Sequence, residues 1–328
     1  YGTLPSVTKT GYTFKGWYTS QAGGTRVINT DTVKITSNQT LYAQYTENTY
    51  TVTLKTDKGS ISSSSWTVSS TTTTNDTATK KIAYDSTYSD LPVLTKAGYT
   101  FNGWYYNNTK IDNTTKLVVA SNHTLNAKWT ANTYTVTFNT NGGSAVSSKT
   151  VTYDSTYGEF PVLTRSGYTF NGWYLDTVKV EGNSKVKILA DATIVAKWTP
   201  NNYKVTYVYN NGMSNTTQNV TFDGIYENMP EPTRTGYTFA GWYTSSSSGN
   251  LIKNGTKVST SSDHTLYARW NANTYTVTLV YGNGTSNTTK SVTYNSTYGA
   301  LPTPTKTGYI FNGWSTSGGS YYKCFINS

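Results

Sequence analysis

The sequence has few of the side chains from which catalytic and metal sites are usually built. Its 328 residues include one cysteine, two histidines and two methionines. The lone Cys324 excludes an intrachain disulfide framework, and the scarcity of oxidisable sulfur suits an extracellular bacterial protein. The histidines, His123 and His264, share one repeat position at which Gln39 and Ala192 stand elsewhere. We interpret that position as a tolerant turn, not as a ligand or a catalytic site.

Long apolar runs and dense charge are also missing. No segment approaches the ~18 apolar residues of a membrane span, so we expect no membrane insertion within this sequence. The first residues do not resemble a secretory leader, and the sequence starts and stops inside a repeat, so we interpret it as a fragment of a longer protein. The net charge is +10, but no basic run exceeds Lys80-Lys81. A nucleic-acid partner would require a basic stripe, whereas this pattern favours a solvated surface or weak attraction to an anionic polymer.

No constellation for a cofactor, a metal or covalent catalysis is visible. No histidine–cysteine spacing suits zinc, and the sequence contains neither a glycine-rich phosphate loop nor an aspartate-rich calcium loop. Asp85 and Asp154 recur within a Tyr-Asp-Ser-Thr-Tyr segment, which is typical of an Asx turn. We therefore predict a protein that is not an enzyme and that uses no cofactor.

Aromatic residues, in contrast, are abundant, with 30 tyrosines and nine tryptophans. Large rings can supply the core that few aliphatic residues are left to build. Enrichment in threonine, tyrosine and valine favours strands, and enrichment in asparagine, glycine and serine favours turns. The composition therefore predicts a mainly β protein.

One segment, Gly-Tyr-Thr-Phe-x-Gly-Trp, recurs along the whole chain and is called the signature below. It occupies residues 11–17, 98–104, 167–173 and 236–242, and a fifth copy at 308–314 has Ile310 in place of threonine. The steps from Trp to Trp are 87, 69, 69 and 72 residues, a period that fits one small domain. We predict a partial repeat at 1–47, repeats at 48–131, 132–200 and 201–272, and a partial or degenerate terminal repeat at 273–328.

Strict alternation marks the strands of each repeat. Tyr50-Thr-Val-Thr-Leu54 alternates large apolar and polar residues, and a similar segment opens each later repeat; period two predicts a half-buried strand. Asn141-Gly142 predicts a tight hairpin turn. Four residues separate each closing strand from the next opening strand, so we predict a stiff or semi-stiff rod. Small-angle scattering with coil-like interdomain distances would contradict this hypothesis.

The signature itself predicts a structural element of the core. Its tyrosine and phenylalanine alternate inward, and its second glycine permits a bulge that turns the tryptophan onto the packed face. We accordingly predict that truncation of Trp173 to alanine unfolds its repeat. The residues with this predicted role are Gly98, Tyr99, Phe101, Gly103 and Trp104; Gly167, Tyr168, Phe170, Gly172 and Trp173; Gly236, Tyr237, Phe239, Gly241 and Trp242; and the closing-strand residues Trp129, Trp198 and Trp270.

Two features admit a binding role as an alternative. A tyrosine follows the signature in four repeats, and these residues form a candidate sugar-stacking row if their side chains are exposed: Tyr18, Tyr105, Tyr174 and Tyr243. The second repeat also contains a serine- and threonine-rich insertion at 58–80, which we interpret as a lengthened hairpin loop. Its Trp66 is the other candidate ligand-binding residue, exposed on a binding loop.

Taken together, these motifs resemble the Listeria–Bacteroides repeat, of which the internalin-B B-repeat is the structurally known type. The resemblance rests on the opening strand, the Asn-Gly-Gly turn, the signature and the closing Leu-Tyr-Ala-x-Trp strand. It implies a small α+β unit of β-grasp-like (ubiquitin- or SUMO-like) fold in a bacterial surface or secreted protein. The residue pattern alone does not locate the helix of such a unit, which would lie between the second and third strands or after the signature.

We therefore predict a non-enzymatic repeat stalk that acts in spacing, in adhesion through many weak sites, or in both. The partner would be a protein, a glycan or an anionic wall polymer, with neighbouring repeats as partners within the chain. The alternative is a carbohydrate-binding array.

Overall fold

The computed structural model describes residues 1–61, 65–69 and 77–316, and the backbone of 322–324. Within these ranges the chain forms 25 β-strands and no helix. The mainly β prediction is confirmed, whereas the expected α+β unit with one helix is wrong for the described residues. The segment between the second and third strands of a repeat instead forms turns; in the third repeat it contains left-handed Asp154 and Gly158 and then Pro161. Such residues disfavour a continuous helix.

The chain divides into two compact units, and the division runs through the third repeat. The first unit comprises Tyr1–Asn141, Ala145–Pro161 and Gly172–Ala196, and the second comprises Gly142–Ser144, Val162–Asn171 and Lys197–Ser328.

The first unit begins with a three-stranded antiparallel sheet of order β2-β1-β3. Its strands are β1 (Tyr12–Tyr18), β2 (Arg26–Val27) and β3 (Tyr42–Glu47). A six-stranded sheet of order β10-β9-β11-β4-β7-β6 follows, with a separate β5-β8 pair. The strands of this second repeat are β4 (Thr49–Lys55), β5 (Ser60–Ile61), β6 (Thr67–Ser69), β7 (Thr77–Ala83), β8 (Leu94–Thr95), β9 (Tyr99–Tyr106), β10 (Thr109–Ile111) and β11 (His123–Ala131). The opening strand β4 and the closing strand β11 run parallel, and the other pairs are antiparallel.

The third repeat contributes β12 (Thr133–Asn139), β13 (Lys149–Thr152), β14 (Tyr168–Leu175), β15 (Val178–Val180) and β16 (Ala192–Pro200). Within the first unit, β12 pairs antiparallel with β13 and parallel with the start of β16. The end of β14 forms a hairpin with β15.

The second unit contains the fourth repeat as a five-stranded sheet of order β18-β17-β21-β19-β20. Its strands are β17 (Asn202–Val208), β18 (Thr216–Thr221), β19 (Tyr237–Tyr243), β20 (Leu251–Ile252) and β21 (His264–Ala272). Two two-stranded sheets follow, built from β22 (Thr274–Leu279) with β23 (Thr288–Thr293) and β24 (Tyr309–Phe311) with β25 (Tyr322–Cys324).

Each core lies on one face of its sheet because the strand residues alternate. In the second repeat Val52 and Leu54 are fully buried, whereas the alternating Thr51 and Thr53 are not. A register shift interrupts the signature strand at its second glycine, between Phe14 and Gly16 in the first repeat and between Phe239 and Gly241 in the fourth. The glycine there has a positive φ, such as 123° at Gly241, which an L side chain rarely adopts. The bulge places the following tryptophan on the buried face.

Candidate functional site

The signature tryptophans serve as core anchors with one fixed polar contact. Trp104, Trp173 and Trp242 are each 2% exposed. In all five copies the indole Nε1–H donates to the carbonyl of the proline twelve residues earlier, as in the 2.8 Å bond from Trp104 to Pro92. In the three complete repeats the ring thus fills the core while its N–H is satisfied, and in every copy the bond holds the proline loop against the tryptophan.

The closing-strand tryptophans, by contrast, lie half-buried at the side of the core. Trp129 donates to the carbonyl of Thr56 at 3.1 Å, and Trp270 donates to that of Tyr209 at 2.9 Å. Phe101 packs against Trp129 with ring centroids 5.2 Å apart. In the second unit Phe170 and Phe239 pack against Trp198 and Trp270 in the same way. These residues lie at the end of each repeat, next to the point where the following repeat begins.

Two signature residues, the first glycine and its tyrosine, form the boundary between consecutive repeats, which we call the joint. Gly98 has φ of 77°, and a Cβ at this position would overlap the ring of Tyr153 in the next repeat. The neighbouring Tyr99 meets the same ring edge to face, with centroids 5.4 Å apart. The glycine is therefore required both for its backbone conformation and for the approach of the ring.

The same joint occurs four times in the chain. In each joint the signature glycine and the signature tyrosine both contact one aromatic ring of the next repeat. The glycine, the tyrosine and the ring are, in order, Gly11, Tyr12 and Tyr84; Gly98, Tyr99 and Tyr153; Gly167, Tyr168 and Phe222; and Gly236, Tyr237 and Tyr294. Each centroid distance lies between 5.4 and 5.6 Å. The first two joints lie in the first unit and the other two lie in the second.

An asparagine in the connector ties each joint together. The backbone N–H of Asn132 donates to Gly98, and its carbonyl accepts from Tyr153, both at 2.9 Å. Its side-chain oxygen accepts from the Thr100 hydroxyl at 2.7 Å, and its amide group donates to the Tyr134 hydroxyl at 3.5 Å. Asn48, Asn201 and Asn273 make the same four bonds in the other joints.

Charged groups complete the joint at its rim. The Tyr99 hydroxyl donates to Asp154 at 2.8 Å, and Lys187 forms an ion pair with the same carboxylate. The hydrogen bond from Lys187, followed by that from Tyr99, lowers the pKa of Asp154. Hydrogen bonding to Asp154 in turn raises the pKa of Tyr99.

The next joint reproduces this rim. The hydrogen bond from Lys257, followed by that from Tyr168, lowers the pKa of Asp223. Asp154 and Asp223 both have left-handed φ, near 65°. The Asx position seen in the sequence is thus also a contact between repeats.

The four candidate stacking tyrosines, Tyr18, Tyr105, Tyr174 and Tyr243, are half-buried rather than fully exposed. Lys128 Nζ lies 4.3 Å from the ring centroid of Tyr105, and the guanidinium of Arg269 lies 4.0 Å from that of Tyr243. A cation over the ring competes with a sugar for the same face.

Trp66 is not an exposed residue of a binding loop, so that expectation is wrong. Its side chain is 3% exposed and packs in the core of the second repeat, and its Nε1–H donates to the backbone carbonyl of Asp90 at 3.0 Å. The insertion adds strand β6, whose residues 67–69 pair with β7. Residues 62–64 and 70–76 of the insertion lie outside the described ranges. The large apolar area of the indole favours its burial.

The histidines lie near the core and not in a free turn. His123 is 9% exposed; its Nδ1 lies 2.9 Å from the Ser121 carbonyl, and its Nε2 lies 2.8 Å from the Tyr88 hydroxyl. His264 makes the corresponding contacts with Ser262 and Tyr226. Both ring nitrogens are thereby engaged in structural hydrogen bonds.

A cleft of about 530 Å³ lies in the terminal repeat beside Val277, Leu279, Tyr298 and Trp314. In the fourth repeat, strand β21 lies between the corresponding strand β17 and the strand of the signature tryptophan, and it pairs with both. Among the described residues of the terminal repeat, the cleft lies where such a strand would pair. Among the described residues no group of three or more His, Cys, Asp or Glu side chains could hold a metal ion. Nor do the described ranges include a helix of the length and apolarity that crossing a membrane requires.

These features define a class of protein: a tandem array of small all-β repeats that are fastened to one another by a recurring joint. A family model described as the Listeria–Bacteroides repeat domain matches residues 1–44, 50–128, 134–197, 203–269 and 275–324. The chain belongs to this family, and the resemblance seen in its motifs is confirmed.

Curated relatives share long stretches with the chain. It is 31% identical over 320 residues to a protein of Evansella cellulosilytica named "Putative Gly-rich membrane protein", covering 94% of this chain and 35% of the relative. It is 38% identical over 128 residues to Internalin H of Listeria monocytogenes, covering 38% of this chain and 20% of the relative. The chain thus spans about a third of the first of these relatives.

Sequence reasoning missed the partners of the signature across the joint. A signal was present, because Asn48, Asn132, Asn201 and Asn273 each stand two residues before the opening tyrosine of a repeat. This recurrence identifies a constrained connector, but it does not say which side chains the connector brings together.

Proposed function

We propose that the chain is a non-enzymatic repeat stalk of a bacterial cell-surface or secreted protein. It would hold other parts of that protein at a distance, or contact host or neighbouring surfaces through many weak sites. The observation that carries the proposal is the joint, which repeats four times with the same glycine, ring and asparagine contacts. A connector fixed by four hydrogen bonds and a ring contact has little of the freedom of a flexible linker.

The relatives support the surface location of this stalk. One has a name that describes it as a membrane protein and another is an internalin, and a spacer repeat suits such proteins. The scarcity of sulfur and the polar, threonine-rich strands also suit the exterior of a bacterium.

We infer further that each complete repeat is a β-grasp-like unit without its helix. In the second and fourth repeats, a parallel pair of first and last strands lies between two antiparallel hairpins. A clear helical signal in the circular dichroism of the chain would contradict this form of the unit.

The stiffness of the joint can be measured with spin labels on the full chain. Cys324 is replaced by serine, and cysteines are introduced at the equivalent exposed positions Thr109 and Val178 of the second and third repeats. We expect a narrow distribution of distances between the two labels. A broad, coil-like distribution would overturn the stalk, because neighbouring repeats would then move independently.

A further inference from the structure

The outward face of the sheet in the second repeat carries positive charge and hydroxyl groups. Because Val52 and Leu54 point into the core, Thr51, Thr53 and Lys55 of the same strand point outward. The register then aligns one cross-strand row, in which Lys55 pairs with Asn126, Asn126 with Tyr105, and Tyr105 with Lys110. Three strand spacings separate the two lysines of the row, roughly 14 Å. We call this surface the open face.

Two further lysines lie on the open face. Lys128 is aligned with Gly103 in the row next to Tyr105, and Lys81 pairs with Thr51. Both side chains are exposed, as are those of Lys55 and Lys110. Glycine at position 103 leaves room between two of these cations, since the Lys110 side chain lies directly over it.

The described carboxylates of this repeat interact with groups that do not belong to the open face. Asp57, Asp85 and Asp90 form ion pairs with Lys96, Lys116 and Lys80, and Asp112 accepts from the hydroxyls of Thr114 and Thr115. None of these four carboxylates lies on a strand. Within the described residues, the open face therefore presents four lysines without a counter-charge.

We propose that the open face of the second repeat binds a linear anionic polysaccharide. The lysines would neutralise carboxylate or sulfate groups along the polymer, and the threonine hydroxyls and the Asn126 amide would bond to sugar hydroxyls. Lys128 covers the ring of Tyr105 at 4.3 Å, so this face does not offer the free ring that stacking of nucleic-acid bases uses. The same cover opposes stacking of a neutral sugar and favours an anionic one.

The fourth repeat differs from the second at two positions of the open face. Leu251 stands where the second repeat has Lys110, and Arg269 stands where it has Lys128. Arg269 donates to the carbonyls of Ser245 and Ser248 in its own repeat. Its charge is therefore partly committed to the fold, and the fourth repeat lacks the set of lysines that the second repeat presents.

This inference rests on the adhesive part of the proposed function and names its ligand class. The test measures binding of heparin, as the anionic polysaccharide, to the full chain, with neutral dextran and inorganic polyphosphate of similar length as comparisons. One variant replaces Lys55, Lys110 and Lys128 by glutamine. A control variant replaces Lys34, Lys58 and Lys253 by glutamine. These lysines are exposed and lie on no strand, and their replacement changes the net charge by the same amount as the open-face variant does.

We expect heparin to bind the unaltered chain more tightly than polyphosphate, and dextran not to bind. The open-face variant should lose on the order of tenfold in affinity and show a shallower salt dependence, because three counterion-releasing contacts are gone. The control variant should change less than twofold. The single substitution Lys110→Gln provides a milder form of the test should the triple variant lose its circular dichroism signature.

Three results would overturn the inference: no binding of heparin, equal losses in the two variants, or binding of polyphosphate as tight as that of heparin. The spin-label measurement of the joint is independent of all three. No binding of heparin to the unaltered chain, together with a narrow distance distribution, would refute the site and leave the stalk intact.

Discussion

The hydroxyl of Tyr99 donates a hydrogen bond of 2.8 Å to the carboxylate of Asp154, which lies 55 residues further along the chain and in the next repeat. The same tyrosine packs edge to face on Tyr153. One side chain of the signature thus contributes both an apolar and a polar contact across the boundary. The signature, which reads as a core motif, also joins the repeats.

The close approach at the joint can be tested at its glycine. Substitution Gly98→Ala should destabilise the boundary of the second and third repeats, because the new Cβ meets the Tyr153 ring. We expect about 1–2 kcal/mol from the left-handed backbone and about 1–3 kcal/mol more from overpacking. Amide hydrogen exchange of the full chain would report the loss of protection on both sides of the joint.

The matched control for this substitution is Gly308→Ala. Gly308 occupies the same signature position with φ of 79°, but nothing lies within 4 Å of its Cβ position. It should show the backbone cost alone. Equal effects of the two substitutions would mean that the ring contact contributes nothing to the joint.

Acid should loosen the joint through Asp154. Hydrogen bonds from Lys187 and Tyr99 lower the pKa of this carboxyl in the folded protein. The ionised carboxylate therefore stabilises the folded joint at any pH above the ordinary carboxyl pKa. This stabilisation is lost as the pH falls through the pKa that the carboxyl has in the folded state. The group is exposed, so the effect will be small. Spin-label distances between the second and third repeats should broaden below about pH 4.

Substitution Tyr99→Phe should remove part of this acid dependence while keeping the ring contact. Tyr237→Phe is the control, since Asn295 occupies the place of the carboxylate in that joint. An unchanged pH profile in the Tyr99 variant would show that this hydrogen bond does not stabilise the joint.

The insertion in the second repeat should stabilise the fold of that repeat through the buried indole of Trp66. Substitution Trp66→Ala removes a buried ring and leaves a cavity, which costs about 3–5 kcal/mol. Val68→Ala, two residues further along the chain in β6 and at a side chain 43% exposed, should cost much less. Heat or denaturant unfolding followed by Trp fluorescence would compare the two, and a Trp66 variant as stable as the Val68 variant would contradict the burial.

Alkaline pH should unfold the complete repeats. Burial raises the pKa of Tyr88 and of Tyr207 to about 12, with smaller contributions from neighbouring tyrosines. A phenol whose pKa is raised in the folded state favours folding below its ordinary pKa of about 10, and this stability is lost as the pH rises toward 12. Phenolate absorbance and circular dichroism should therefore change together in that interval; full ionisation of these tyrosines without loss of structure would refute the prediction.

Several features of the fold follow directly from the residues. Alternation in Tyr50-Thr-Val-Thr-Leu54 specifies a strand with one buried face because successive side chains point to opposite sides. The second glycine of the signature indicates the bulge, since only glycine readily adopts a φ such as 123° at Gly241. For Trp66 the same reasoning gave the wrong result. Its serine-rich neighbourhood predicts an exposed side chain, whereas the burial of Trp66 depends on a core formed by strands that are distant in the sequence.

The sequence by itself determined the recurrence of the signature, the opening and closing strands of the repeats, the family and the lack of an intrachain disulfide. These properties are local or periodic, so they can be recognised along the chain without knowledge of the fold. Only the tertiary structure decided what crosses a boundary: the ring of Tyr153 on Gly98, the carboxylate of Asp154 on Tyr99, and the row from Lys55 to Lys110. Such contacts join residues that are far apart in the chain, and they depend on strand order and register, which no local pattern encodes.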